Sequence, residues 1–235
     1  MLRRYEIINK IKRKRDCFFL DKSEIFSNIQ NMECEKILSF IKKPFFVYTE
    51  HKYLIDKSFL IIKTKDNVSL KYLFAILNSK VIAYYIQDKK IKSINKKVLC
   101  TIPIKKSKNV EVFEILVDYI LFLKTLDESI NEYVSNEHII KSFEQVVDAM
   151  VYEIYFQNEF KNKLIQFEKE KGYIKFIEYA KSDYYSIDGL NEERSIKVIV
   201  KSYKILKEPY NKIRNNLILL GIEFKDLIVP IMRNL

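Results

Sequence analysis

The chain has 235 residues, 48% of them hydrophobic, with 16 Phe and 16 Tyr but only three Gly and four Pro. This composition excludes a disordered polypeptide and favours a packed protein with few sharp turns and long helices. A formal net charge of +11 points either to a polyanionic partner or to charge that serves solubility alone.

The opening MLRRYEIINK lacks the long apolar core of a signal peptide. Lys10, Lys12, Arg13, Lys14 and Arg15 follow Ile7, Ile8 and Ile11, and form either a contact to a DNA backbone or the solvated face of a first helix. The β-branched and aromatic runs Pro44 to Thr49 and Phe59 to Lys63 read as strands, with His51, Lys52 and Tyr53 in a loop or hairpin tip between them. Ser69 is a natural N-cap for a helix that buries Leu70, Leu73, Phe74 and Leu77. Asn78-Ser79 can end that helix and cap the next, which carries Val81, Ile82 and Tyr85. A lysine-rich connection follows, and then a short strand-like run closed by Pro103.

Beyond residue 109 the periodicity becomes helical. Phe113, Leu116, Ile120, Leu123, Leu126 and Ile130 recur at three- and four-residue steps. The set Ile139, Ile140, Phe143, Val146, Val147, Met150, Val151, Ile154 and Tyr155 does so more strictly. Two such stripes parted by Ser135-Asn136-Glu137 predict a helical hairpin. A later helix over about Ile196 to Lys207 places Lys197, Lys201 and Lys204 on one face, toward phosphates or toward solvent.

Charge divides the chain in the same place. Residues 1–108 carry 25 Lys and Arg against 10 Asp and Glu, a net of +15, whereas residues 109–195 carry 9 against 18, a net of −9. The expected architecture is α+β, with a mixed α/β lobe over residues 1–108 and a mainly helical lobe over residues 109–235. The densest charge lies at Lys89, Lys90, Lys92, Lys96, Lys97, Lys105, Lys106 and Lys108, with no acidic residue among them. Such a run repels itself unless water, salt or a polyanion screens it, so it is either a solvated loop or a phosphate-contacting one. Tyr48, Tyr53, Tyr84 and Tyr85 are candidates for stacking on bases, or are core tyrosines with a polar tip.

Catalytic signals are sparse. Gly172, Gly189 and Gly221 are too scattered to cradle a cofactor, and neither an Asn-Pro-Pro motif nor a phosphate-binding loop occurs. Glu50-His51-Lys52 has the Glu-x-Lys spacing of a magnesium-dependent nuclease, with Asp21, Glu35 or Asp56 as possible partners. Triplets of this kind arise readily by chance in so charged a chain. Cys17, Cys34 and Cys100 fit neither a disulfide framework nor a zinc site and suggest a reducing cytoplasm. No run approaches the roughly 18 consecutive apolar residues of a membrane span.

Lys43-Pro44 with Val47-Tyr48, Asp56 to Lys63, Leu70 to Ser79 and Ile102-Pro103-Ile104 follow one another in an order that resembles the TaqI-like C-terminal specificity domain. That domain occurs in fused type II restriction-modification enzymes and adenine-specific DNA methyltransferases. Val146 to Phe156 is similar to the hydrophobic helix that follows it in those proteins, and Ile213 to Leu217 to a segment near their C-termini. The resemblance implies a lobe that recognises double-stranded DNA, and the charge run and the loop between the strands make Lys52, Tyr53, Lys89, Lys90, Lys92, Lys96 and Lys97 the expected DNA-contacting residues. It implies no cofactor in this chain: S-adenosylmethionine and magnesium belong to a methyltransferase or nuclease module in cis or in trans. The alternatives are a standalone specificity subunit that recruits a separate catalytic polypeptide, and a small magnesium-dependent nuclease built on Glu50 and Lys52.

Overall fold

The computed structural model describes residues 17–18, 20, 25–26, 35–42, 44–51, 58–64, 68–162 and 174–233. The chain divides into two compact units, one of Met1–Lys108 with Pro230–Leu235 and one of Asn109–Val229. The class is α+β, with strands in the first unit and helices in both.

In the first unit, strands β2 (Ile25–Phe26), β3 (Lys36–Phe40), β4 (Phe46–Thr49) and β5 (Phe59–Ile62) form an antiparallel sheet in the order β2-β5-β3-β4. A separate two-stranded ladder pairs β1 (Cys17–Phe18) with β6 (Ile104–Lys105). The central strand β3 sets Ile37 opposite both Tyr48 and Ile62, and Ser39 opposite both Phe46 and Leu60. These residues form one buried face of the sheet, because side chains in register on paired strands share a face.

Two expectations change here. β4 and β5 do not form a hairpin, since β3 lies between them and pairs with both. The tight reversal is instead β3 to β4, closed by the Phe40 amide donating to the Phe45 carbonyl at 3.4 Å. The strand-like run ending at Pro103 is also different: Lys96–Leu99 is a short helix, and the strand is Ile104–Lys105, after the proline.

Helices α1 (Leu70–Asn78) and α2 (Lys80–Asp88) follow as the capping residues dictate. The Ser69 hydroxyl accepts from the Tyr72 amide at 3.1 Å and starts α1. Ser79 ends α1 and starts α2 at once: its amide and hydroxyl donate to the Ile76 carbonyl, and its oxygen accepts from the Ile82 amide. The apolar stripe Leu73, Ile76, Leu77, Val81, Ile82 and Ile86 is buried, as helical spacing requires. The short helix α3 (Lys96–Leu99) is capped by the Asn95 side chain, which accepts from the Val98 amide at 2.9 Å.

The second unit begins with α4 (Glu111–Thr125) and α5 (Asn136–Tyr155), which pack together as the expected helical pair. Both stripes are buried along the helices, from Phe113 to Leu123 and from Ile139 to Tyr155, apart from the half-buried Ile154. Leu126 and Ile130 fall beyond the end of α4, in the connection, and Ser135 is the N-cap of α5 rather than the middle of a turn. Helices α6 (Gln157–Asn162), α7 (Ile177–Asp183), α8 (Glu192–Lys207), α9 (Lys212–Glu223) and α10 (Lys225–Arg233) complete the described chain.

An aromatic cluster of Tyr119, Phe143, Tyr184 and Tyr203 holds this unit, with ring centroids 5.3 to 6.4 Å apart and edge-to-face angles. Such arrangements add roughly 0.5–1.5 kcal/mol per pair beyond area burial. The Tyr119 hydroxyl donates to the Tyr185 carbonyl at 2.6 Å and accepts from the Tyr185 amide at 3.1 Å, fastening the segment after α7 to α4. Glu153 accepts from the Phe176 and Ile177 amides at 2.7 and 3.0 Å, supplying from α5 the acceptor that the N-terminus of α7 lacks in its own sequence.

Among the described residues, no helix is long and apolar enough to cross a membrane.

Candidate nucleic-acid interface

The lysine-rich connection is a surface segment anchored at intervals by buried apolar side chains. It leaves α2 through a closed reversal in which the Lys90 amide donates to the Gln87 carbonyl at 2.9 Å and the Ile91 amide to the Ile86 carbonyl at 3.1 Å. This hydrogen-bond pair ends many helices and needs a left-handed residue at its centre, normally glycine. Here that residue is Lys90, with φ of 52°, a conformation that brings Cβ against the following carbonyl.

The chain is then pinned again. Ile94 is fully buried, and its amide donates to the Ile41 carbonyl at 2.8 Å. Leu99, Ile102 and Ile104 are likewise buried, and the hydroxyls of Tyr85 and Tyr72 donate to the carbonyls of Thr101 and Lys105 at 3.1 and 2.6 Å. Between these anchors Lys89, Lys90, Lys92 and Lys97 are exposed and Lys96 is half-buried. The apolar residues thus fix the backbone and turn the cations outward, rather than leaving a loose polar loop.

Lys89 forms an ion pair with Asp88 at 3.6 Å, whereas Lys90, Lys92, Lys96 and Lys97 have no acidic partner among the described residues. Lys105 departs from the expected run. It is 4% exposed because β6 pairs with β1 and carries it into the interior, so its charge is withdrawn from that surface. Lys106 and Lys108 remain exposed. Lys52 and Tyr53, the other two candidate contacts, lie outside the described residues, as do Lys10 to Arg15.

The tyrosines resolve as core groups. Tyr84 and Tyr85 are 1% and 3% exposed, so neither ring face is open to a base. Tyr48 is buried too, and its hydroxyl donates to Glu50 Oε1 at 3.1 Å. Its pKa is raised by burial and then by the negative charges of Glu35 and Glu50. The Glu50 carboxylate is therefore engaged with a neutral tyrosine, and among the described residues no group of three His, Cys, Asp or Glu side chains is placed to hold a metal. His51 is exposed; its amide donates to Thr49 Oγ1, and its carbonyl accepts from Lys36 Nζ at 2.7 Å.

A cavity of about 330 Å³ lies at the α1–α2 elbow, with Pro44, Leu77, Ala83, Ile86 and Ile91 among its lining residues. The exposed carboxamides of Asn78 and Gln87 also line it. The Asn78 amide nitrogen donates to the Phe46 and Phe74 carbonyls at 3.3 and 3.2 Å, leaving Oδ1 free to accept. Gln87 makes no side-chain hydrogen bond among the described residues. Asn78 reads in sequence as a helix stop, and only the fold of α2 against α1 brings Gln87 to the same cavity.

Comparison with known proteins bears on the same unit. Residues 4–104 match the family model of the TaqI-like C-terminal specificity domain. The match thus takes in the sheet, both elbow helices and the lysine-rich segment. It does not reach the helical stretches Val146 to Phe156 and Ile213 to Leu217. No curated protein and no solved structure matches the chain.

Proposed function

We propose, on the premise that residues 4–104 are a TaqI-like specificity domain, that this chain is the DNA target-recognition region of a restriction-modification enzyme. Lys90, Lys92, Lys96 and Lys97, which have no acidic partner among the described residues, carry the reading. They stand on a backbone pinned by Ile94 and Leu99, so they are pre-positioned for phosphates instead of having to be ordered on binding. In such an interface phosphate contacts set orientation and register, and other side chains read the base edges.

Catalysis belongs to a separate module in this reading. The chain carries neither a methyltransferase nor a nuclease centre of its own, and S-adenosylmethionine and magnesium act in a partner module joined in cis or in trans. The helical unit supports recognition and docks that module. The setting is the cytoplasm, where DNA and the partner enzyme are both present.

The test is duplex binding by fluorescence anisotropy across about 50 to 300 mM salt, without added metal. Four phosphate contacts give a log–log slope of roughly −3.6, a loss of several hundredfold over that range. The triple variant Lys92→Ala, Lys96→Ala and Lys97→Ala flattens the slope to roughly −1. Binding that ignores salt, or no binding at the lowest salt, refutes the proposal.

A further inference from the structure

The cavity at the α1–α2 elbow joins two kinds of chemistry beside the lysine segment. Ile91, one of its lining residues, lies between Lys90 and Lys92 in the chain, so the opening adjoins the cationic segment. Within it, Leu77, Ala83, Ile86 and Ile91 present apolar surface, while Gln87 offers both a donor and an acceptor and Asn78 Oδ1 a further acceptor.

In the major groove an A·T pair presents the adenine N7 acceptor and N6 donor on one side and the thymine C5-methyl on the other. A glutamine carboxamide is complementary to the first pair of atoms, and an apolar hollow to the methyl group. No other base pair offers an acceptor–donor pair beside a methyl. A guanine edge would instead call for an arginine or lysine fork in that place.

We propose that this cavity is a base-reading site for an A·T pair in the major groove. Gln87 donates to adenine N7 and accepts from N6, and the hollow lined by Ala83, Ile86 and Ile91 receives the thymine methyl. The inference rests on the reading of the chain as a DNA target-recognition region and names the residues that would carry its specificity.

The test starts from the duplex that the full chain selects from a randomised pool at about 150 mM salt. Adenines in that duplex are replaced singly by 7-deazaadenine, which removes N7, and thymines by uracil, which removes the methyl. One A·T position is expected at which both replacements weaken wild-type binding, the first by about 5- to 100-fold. At that position Gln87→Ala abolishes the 7-deazaadenine penalty but retains the uracil penalty, and Ala83→Leu abolishes the uracil penalty. Gln87→Ala loses more affinity for the selected duplex than for random duplex at low salt. Gln87 is exposed on α2 and alanine is the better helix former, so this variant folds.

Selective wild-type binding with no such position, or Gln87→Ala discriminating as the wild type does, overturns the site while leaving the DNA-recognition reading in place. Equal loss on selected and random duplexes also overturns it, because Gln87 would then serve general affinity. Absence of any duplex binding by the wild type overturns both.

Discussion

Replacing Lys90 with glycine separates the stability of the elbow from its charge. Lys90 occupies the left-handed position of the reversal after α2, with φ of 52°, and two backbone hydrogen bonds hold it there, 2.9 Å from its own amide to Gln87 and 3.1 Å from Ile91 to Ile86. An L-residue in that conformation costs roughly 1–2 kcal/mol. Glycine removes this cost but loses about 0.5–1 kcal/mol more chain entropy on folding. The balance is a gain of roughly 0.5–1 kcal/mol, a rise in Tm of about 2–8 °C for a unit of this size. Lys90→Ala is the control, since it deletes the same charge while keeping a Cβ in the strained position. Thermal unfolding followed by circular dichroism should place Lys90→Gly above both the wild type and Lys90→Ala. Each variant should flatten the salt dependence of DNA binding by about 0.9 in log–log slope. Equal stability of the glycine and alanine variants would refute the argument from strain. A lysine retained where glycine is more stable is what a binding surface, rather than a helix terminus, would select.

Three further outcomes follow from the hydrogen bonds. Ser79→Ala removes the hydroxyl that both receives the Ile82 amide and donates to the Ile76 carbonyl in the buried elbow, and urea unfolding should show a loss of about 1–2 kcal/mol. Tyr119→Phe leaves the Tyr185 amide and carbonyl without their buried partner; a loss of about 1–3 kcal/mol and faster hydrogen exchange at the Tyr185 amide are expected. Burial raises the Glu153 pKa above its ordinary value, although the Ile177 and Phe176 amides pull it down. Its folded form therefore binds protons more tightly than its unfolded form, and its contribution to stability falls as pH rises from the ordinary carboxylate value through the raised one. Urea midpoints of wild type and Glu153→Gln across that interval should diverge in this direction; a parallel course would refute it.

The segments legible in the sequence are those whose information is local. Ser69 and Ser79 mark helix starts because a hydroxyl can reach amides only three residues away. The stripe from Ile139 to Tyr155 predicts α5 because one apolar face at helical spacing must be covered. The exposure of Lys89, Lys90, Lys92 and Lys97 follows from their place beside Ile94 and Leu99, which the interior claims.

Strand order was not legible. β3 reads KILSF, and its central place in the sheet buries Lys36 and Ser39 along with Ile37. A polar residue at the strand's start and another within it interrupt the kind of apolar run that marks β4 and β5, so those two look like partners. Tyr84 and Tyr85 show a second limit: both are compatible with base stacking as a composition, and only the packing of α2 encloses their rings.

The α+β class, the charge asymmetry, the capped elbow helices, the cationic segment and the resemblance to a specificity domain can all be read along the chain, because each is written in residues close together in it. Folding in three dimensions is what puts β3 between β4 and β5, buries Lys105, makes Lys90 left-handed, and brings Asn78 and Gln87 to one cavity. These depend on pairings between residues far apart in the chain. Their free energy comes from burial and register, which no local pattern encodes.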